Sequence, residues 1–145
     1  MTRTAFAALA AAVGLALAVV EDARAAGDLA TKATKLPELK LGAPDNDFAV
    51  SQTRYELETG KAYRLPITSS GAKEMAFLAP ELFDNIWINQ IVINHLEVHT
   101  TVVRHLEFDD AGTMELYFVP IRTGTFAWEI EGLADRGMKG TFVVK

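Results

Sequence analysis

Hydrophobic and polar positions alternate with a period of two over much of this chain. Tyr63, Leu65 and Ile67 share one face of a segment that begins after Gly60. Met114, Leu116 and Phe118 share a face, with Glu115 and Tyr117 opposite, up to Pro120. Phe126, Trp128 and Ile130 alternate with Ala127, Glu129 and Glu131. Successive side chains of a strand point to opposite faces, so each pattern predicts a half-buried strand with one face in a core. Turn-forming clusters punctuate these segments at Gly42–Asp47, Thr59-Gly60, Ser69–Gly71, Asp109–Gly112 and Thr123-Gly124. Short strands between regularly spaced turns predict an all-β sandwich or barrel. A single helical turn is expected over Pro80–Trp87, where Pro80 has the fixed φ suited to a helix start. The run Trp87–Asn94 is apolar on both parities. It reads as a buried strand or as an exposed edge open to another chain, with Trp87 as an anchor.

The first 25 residues carry a different pattern. Arg3 is followed by an apolar stretch from Ala5 to Val20, and Ala23-Arg24-Ala25 supplies small residues at a cleavage position. These are the three regions of a secretory signal peptide. The apolar stretch falls short of the roughly 20 residues of a spanning helix, which sets aside a membrane anchor. The expected division is a signal peptide over residues 1–25, a flexible leader over 26–40 around Pro37, and one domain over 41–145. The expected location is periplasmic or secreted.

The net charge is −5. An acidic domain lacks the basic patch that nucleic acids select, so no nucleic-acid partner is expected. The chain has no cysteine. It therefore holds no disulfide and no thiolate metal site, and its stability must come from its core. Trp128 and the phenylalanines are read as that core.

The C-terminal stretch, with Gly124, Phe126, Trp128, Gly132, Gly137, Met138 and Gly140, resembles the end of a cupredoxin. Several earlier segments resemble that family in the same order. They are Phe48-Ala-Val with Tyr55–Gly60, Met75-Ala-Phe-Leu-Ala-Pro-Glu-Leu82, and the turn Asp109–Gly112. The resemblance covers about Leu39 to Val144 and implies a cupredoxin-like Greek-key β-sandwich. It also implies where copper would sit. The first histidine ligand falls on Met75, the cysteine near Ile130, the second histidine on Leu133 and the axial methionine on Met138. A type 1 centre needs two imidazoles and a thiolate. Type 1 electron transfer is therefore not expected. Met75 and Met138 are either a soft Cu(I) pair or apolar fillers of the vacated space.

All three histidines fall within Asn94–Glu107. If residues 95–99 are extended, His95, Glu97 and His99 project from one face, about 7 Å apart by the strand rise. That spacing lets two imidazoles and a carboxylate converge on Cu(II), Zn or Ni. His105 joins them only if the chain turns back at Thr100-Thr101. The plainer reading is a solvated strand face behind Leu96 and Val98. No nucleophile with a base and no phosphate loop is present, so no enzymatic activity is expected. Two functions follow: an exported protein that handles a metal, copper first, or a metal-free interaction module on the same scaffold, with an unidentified protein partner in the cell envelope.

Overall fold

A computed structural model describes residues 27–145. The expected signal peptide lies outside them. The described chain forms two sheets packed face to face. Twelve strands build them: β1 Thr34–Lys35, β2 Leu39–Ala43, β3 Asn46–Val50, β4 Arg54–Leu57, β5 Tyr63–Ser69, β6 Met75–Leu78, β7 Ile86–Ile93, β8 Leu96–Val98, β9 Leu106–Phe108, β10 Gly112–Pro120, β11 Gly124–Ile130 and β12 Lys139–Val144. One sheet runs β3-β2-β5-β10-β7-β8 with β1 also against β5, and the other runs β4-β12-β11-β6-β9. Spatial neighbours are mostly not sequence neighbours, as a Greek key requires.

The alternating segments bury the predicted faces. Leu65, Ile67, Leu116, Phe118, Trp128 and Ile130 are all sealed between the sheets. Phe77 stacks on Trp128 with centroids 5.6 Å apart, and Tyr55 stacks on Phe142 at 5.0 Å. Offset aromatic pairs of this kind contribute beyond the area they bury.

Two expectations need correction. The expected leader ends earlier: Thr34–Lys35 and Leu39–Leu41 both run parallel to β5, and Leu36 and Leu39 are buried. Pro37 explains why the two pairings are separate, because it offers no N–H to the ladder. The helix α1 covers only Pro80–Phe83, and Trp87 belongs to β7. The Asn85 side-chain amide donates to the Glu81 carbonyl at 2.7 Å, and the β-prone Ile86-Trp87-Ile88 takes over from there. The inward parity of β7 changes along its length. Tyr117 lies opposite Gln90 but Phe118 lies opposite Ile88, which leaves Asn89 without a counterpart. This β-bulge switches the inward residues from Ile86 and Ile88 to Ile91. It explains why the run is apolar on both parities.

β7 is both of the things its sequence allowed. Along its whole length it pairs with β10, but β8 covers only Ile91–Ile93. Its first half is an open edge, where Trp87 stands 48% exposed. No helix among the described residues is long and apolar enough to cross a membrane.

Candidate functional site

The end of the sandwich where the resemblance places copper is built of apolar side chains. Met75 is 1% exposed and Met138 0%. Ile130 is fully buried, and Leu133 packs against the same cluster. A short 3-10 turn, Ala134–Arg136, closes this end and stops at Gly137, whose φ of 91° is a left-handed cap. The Met138 N–H donates to the Leu133 carbonyl at 3.3 Å, and the Met138 carbonyl accepts from Ile130 N–H at 2.9 Å. Two thioethers among alkyl and aromatic groups do not fit a type 1 centre, which requires imidazole and thiolate donors. Both methionines belong to the buried core cluster.

The histidine segment is arranged differently from one continuous strand. Asn94 and His95 have φ of 49° and 66°. Positive φ at both central residues makes a two-residue type I′ hairpin turn between β7 and β8. His95 is consequently the turn itself, beside Val92, Thr113 and Glu115, and it does not join Glu97 and His99 on the strand. Asn94 was the available signal, since asparagine favours the first position of such a turn.

Glu97 and His99 do come together. His99 Nε2 lies 3.6 Å from Glu97 Oε2, both side chains being well exposed. His99 Nδ1 lies 3.1 Å from the Asn89 carbonyl. A carbonyl oxygen only accepts, so Nδ1 must carry the proton of the neutral imidazole. Nε2, on the Glu97 side, pairs with the carboxylate when protonated and offers its lone pair to an ion when not. The Asn89 carbonyl is the one displaced by the β7 bulge, and bulges commonly re-aim groups in this way. Gln90 Nε2 donates to Glu97 Oε1 at 3.4 Å and steadies the carboxylate. A shallow cleft of about 490 Å³ runs from His99 to the exposed Trp87, lined also by Thr100 and Thr101.

His105 is elsewhere: it sits before β9 in the other sheet, with Nε2 3.3 Å from Glu107. Glu74, Glu107 and Asp109 form an exposed carboxylate trio whose ligand atoms lie within 4.8 Å of one another. The Glu107 carboxylate holds the Glu74 carboxyl above its usual range through a shared hydrogen bond and repulsion.

No family model matches the chain, and no curated protein matches it in sequence. Solved structures do match. A multicopper oxidase from Campylobacter jejuni, described as a metallo-oxidase, is 11% identical with a TM-score of 0.56, over 79% of this chain and 30% of its own. A multi-copper oxidase from Pediococcus acidilactici is 10% identical with a TM-score of 0.58, over 79% and 27%. A laccase from the same species is 11% identical with a TM-score of 0.57, again over 79% and 27%. The chain thus spans less than a third of the length of these neighbours. At such identity the likeness is one of fold, and that fold is the cupredoxin-like β-sandwich.

Proposed function

We propose that this chain is an exported, cupredoxin-like protein that binds and hands on a metal ion, copper first, without type 1 electron transfer and without catalysis. One observation carries the reading. His99 is held by the Asn89 carbonyl in the tautomer that leaves Nε2 free, next to the Glu97 carboxylate. Metal-ligating histidines characteristically donate their other ring N–H to a carbonyl or carboxylate, which fixes ring orientation and raises basicity. Imidazole with carboxylate suits Cu(II) and Zn(II). Two protein donors at an exposed edge make a site from which an ion exchanges readily, as delivery requires. The neighbours named as multicopper oxidases support copper as the first metal to try.

The second reading, a metal-free interaction module, has its own support in Trp87, which stands exposed at the open half of the β7 edge. Large aromatics at such positions serve as binding anchors.

The test is titration of the purified mature chain with Cu(II), Zn(II) and Cu(I) under chelator competition. Divalent binding is expected to be lost in His99→Ala, reduced in Glu97→Gln and unchanged in His95→Ala and Met138→Leu. Binding that survives His99→Ala would overturn this site. Cu(I) binding lost on Met138→Leu would move it to the closed end of the sandwich.

A further inference from the structure

Three features stand open at the β8 edge among the described residues. Leu96 and Val98 share the inner face of their sheet with their partners Ile93 and Ile91, yet they are 70% and 44% exposed. Ile93 and Leu96 flank the two-residue turn and are paired, as are Ile91 and Val98. In such a hairpin the flanking pair exchanges hydrogen bonds and the bonding pairs then alternate. Leu96 and Val98 therefore direct their backbone groups to β7, while Glu97 and His99 turn theirs outward. The third feature is chemical: Glu97 and His99 offer an ion only two protein donors, and zinc sites take three or four from the protein.

We propose that β8 is the interface of a metal-bridged homodimer, in which two copies pair their β8 edges antiparallel about Val98 and hold one ion with Glu97 and His99 from each. The proposal rests on the metal reading given above. Its register is dictated by charge. Centred on Val98, the pairing sets Glu97 opposite the partner's His99 and His99 opposite the partner's Glu97. Centred one residue earlier it would oppose the two Glu97 carboxylates, which is repulsive. The Val98 register also makes each Glu97–His99 opposition a hydrogen-bonded pair, because both residues have their backbone groups turned outward. Directly opposed side chains stand about 5 Å apart and those two apart on a strand about 7 Å. The four donors thus surround one point on the outer face, as a two-His, two-carboxylate site. On the other face Val98 meets the partner's Val98, with Leu96 of each chain alongside, covering the apolar residues that the monomer leaves open.

Edge pairing over so few residues buries much less than the roughly 1,000 Å² of a stable interface. The dimer should therefore depend on the ion. The experiment is sedimentation velocity and calorimetric titration of the mature chain with Zn(II), repeated with Cu(II). A monomer is expected without metal and a dimer with it, at one ion per two chains. His99→Ala should abolish the dimer and weaken binding beyond the roughly 10- to 100-fold that loss of an outer partner costs. The register has an independent readout, because the chain has no native cysteine. Val98→Cys should cross-link with Zn(II) present under mild oxidation, since side chains of a non-hydrogen-bonded pair approach most closely. Leu96→Cys should not. An ion bound one per chain to a persistent monomer overturns the dimer while sparing the metal reading; absence of any binding removes both. Equal cross-linking at residues 96 and 98 overturns the register.

Discussion

Gly140 leaves no room for a side chain, and alanine there tests how the closing strand is held. A Cβ on Gly140 would lie 2.2 Å from the Thr53 carbonyl oxygen, 2.7 Å from its carbon and 2.6 Å from Trp128 Nε1. None of these can yield cheaply. The Thr53 carbonyl accepts the Thr141 N–H at 2.9 Å where β12 meets β4, and Trp128 is fully buried against Phe77. Reaching ordinary van der Waals separation means moving β4 away by more than an ångström or rotating the indole. Overpacking of this kind costs roughly 1–3 kcal/mol. Weakening the Thr141 bond adds about 1 kcal/mol. The expected loss for Gly140→Ala is about 2–4 kcal/mol, a fall in Tm of roughly 8–16 °C for a domain of this size. The measurement is urea unfolding followed by Trp128 fluorescence in a Trp87→Phe background. Gly137 is the control, because its glycine is needed for a different reason. Its φ is 91° and nothing stands within 4 Å of its missing Cβ. Alanine there should cost roughly 1–2 kcal/mol through backbone strain, most of it recovered by asparagine, which tolerates the left-handed region. Asparagine at Gly140 should be at least as damaging as alanine. A loss below about 0.5 kcal/mol for Gly140→Ala would refute the steric argument, as would rescue by asparagine.

Burial holds the Tyr55 phenol above the ordinary tyrosine range, with the Glu38 carboxylate adding to the effect. The folded state thus keeps a proton that the unfolded chain releases near pH 10, so stability should be level below that pH and decline above it; Tyr55→Phe should flatten part of the decline in urea titrations from pH 8 to 11. Met75→Leu and Met138→Leu conserve volume in sealed positions and should each cost less than about 1.5 kcal/mol, whereas alanine at either should cost about 2–5 kcal/mol by calorimetry. The Phe48 ring lies 4.4 Å from both Lys73 Nζ and the Arg136 guanidinium carbon, so Phe48→Leu should lower stability by about 1–2 kcal/mol through two cation–π contacts. A loss confined to that of an ordinary apolar swap, unchanged in an Arg136→Gln background, would remove Arg136 from that account.

The sandwich was legible wherever one physical demand set the pattern. Phe126, Trp128 and Ile130 alternate because β11 has one face in the core and one in water, and no other structure satisfies that period. Legibility failed where two demands overlapped. The run Ile86–Ile93 is apolar on both parities because the bulge at Asn89 exchanges its inward set, and periodicity alone cannot register an extra residue. The histidines failed for a related reason. His95, Glu97 and His99 keep the parity of a strand, but Asn94 and His95 form the turn, so only the later pair shares a site. The strands at residues 34–41 were hidden by Pro37, which marks a break in pairing as readily as an absence of structure.

Where polar chemistry remains in this fold follows from the cost of burying it. An imidazole or carboxylate left at the closed end of the sandwich without an ion would be an unsatisfied group in the core, at a cost of several kcal/mol. Met75, Ile130, Leu133 and Met138 remove that cost and make the end part of the core. Side chains that must keep a free lone pair are stable only where water can satisfy them until a ligand arrives. In this chain that condition is met along β8, where Glu97 and His99 are exposed and the Asn89 carbonyl fixes the imidazole from beneath. An edge also has what a closed end lacks, a row of outward backbone groups that a second copy can use. The closed end of the sandwich is therefore core, and polar side chains with lone pairs to offer are stable at the rim, where water satisfies them.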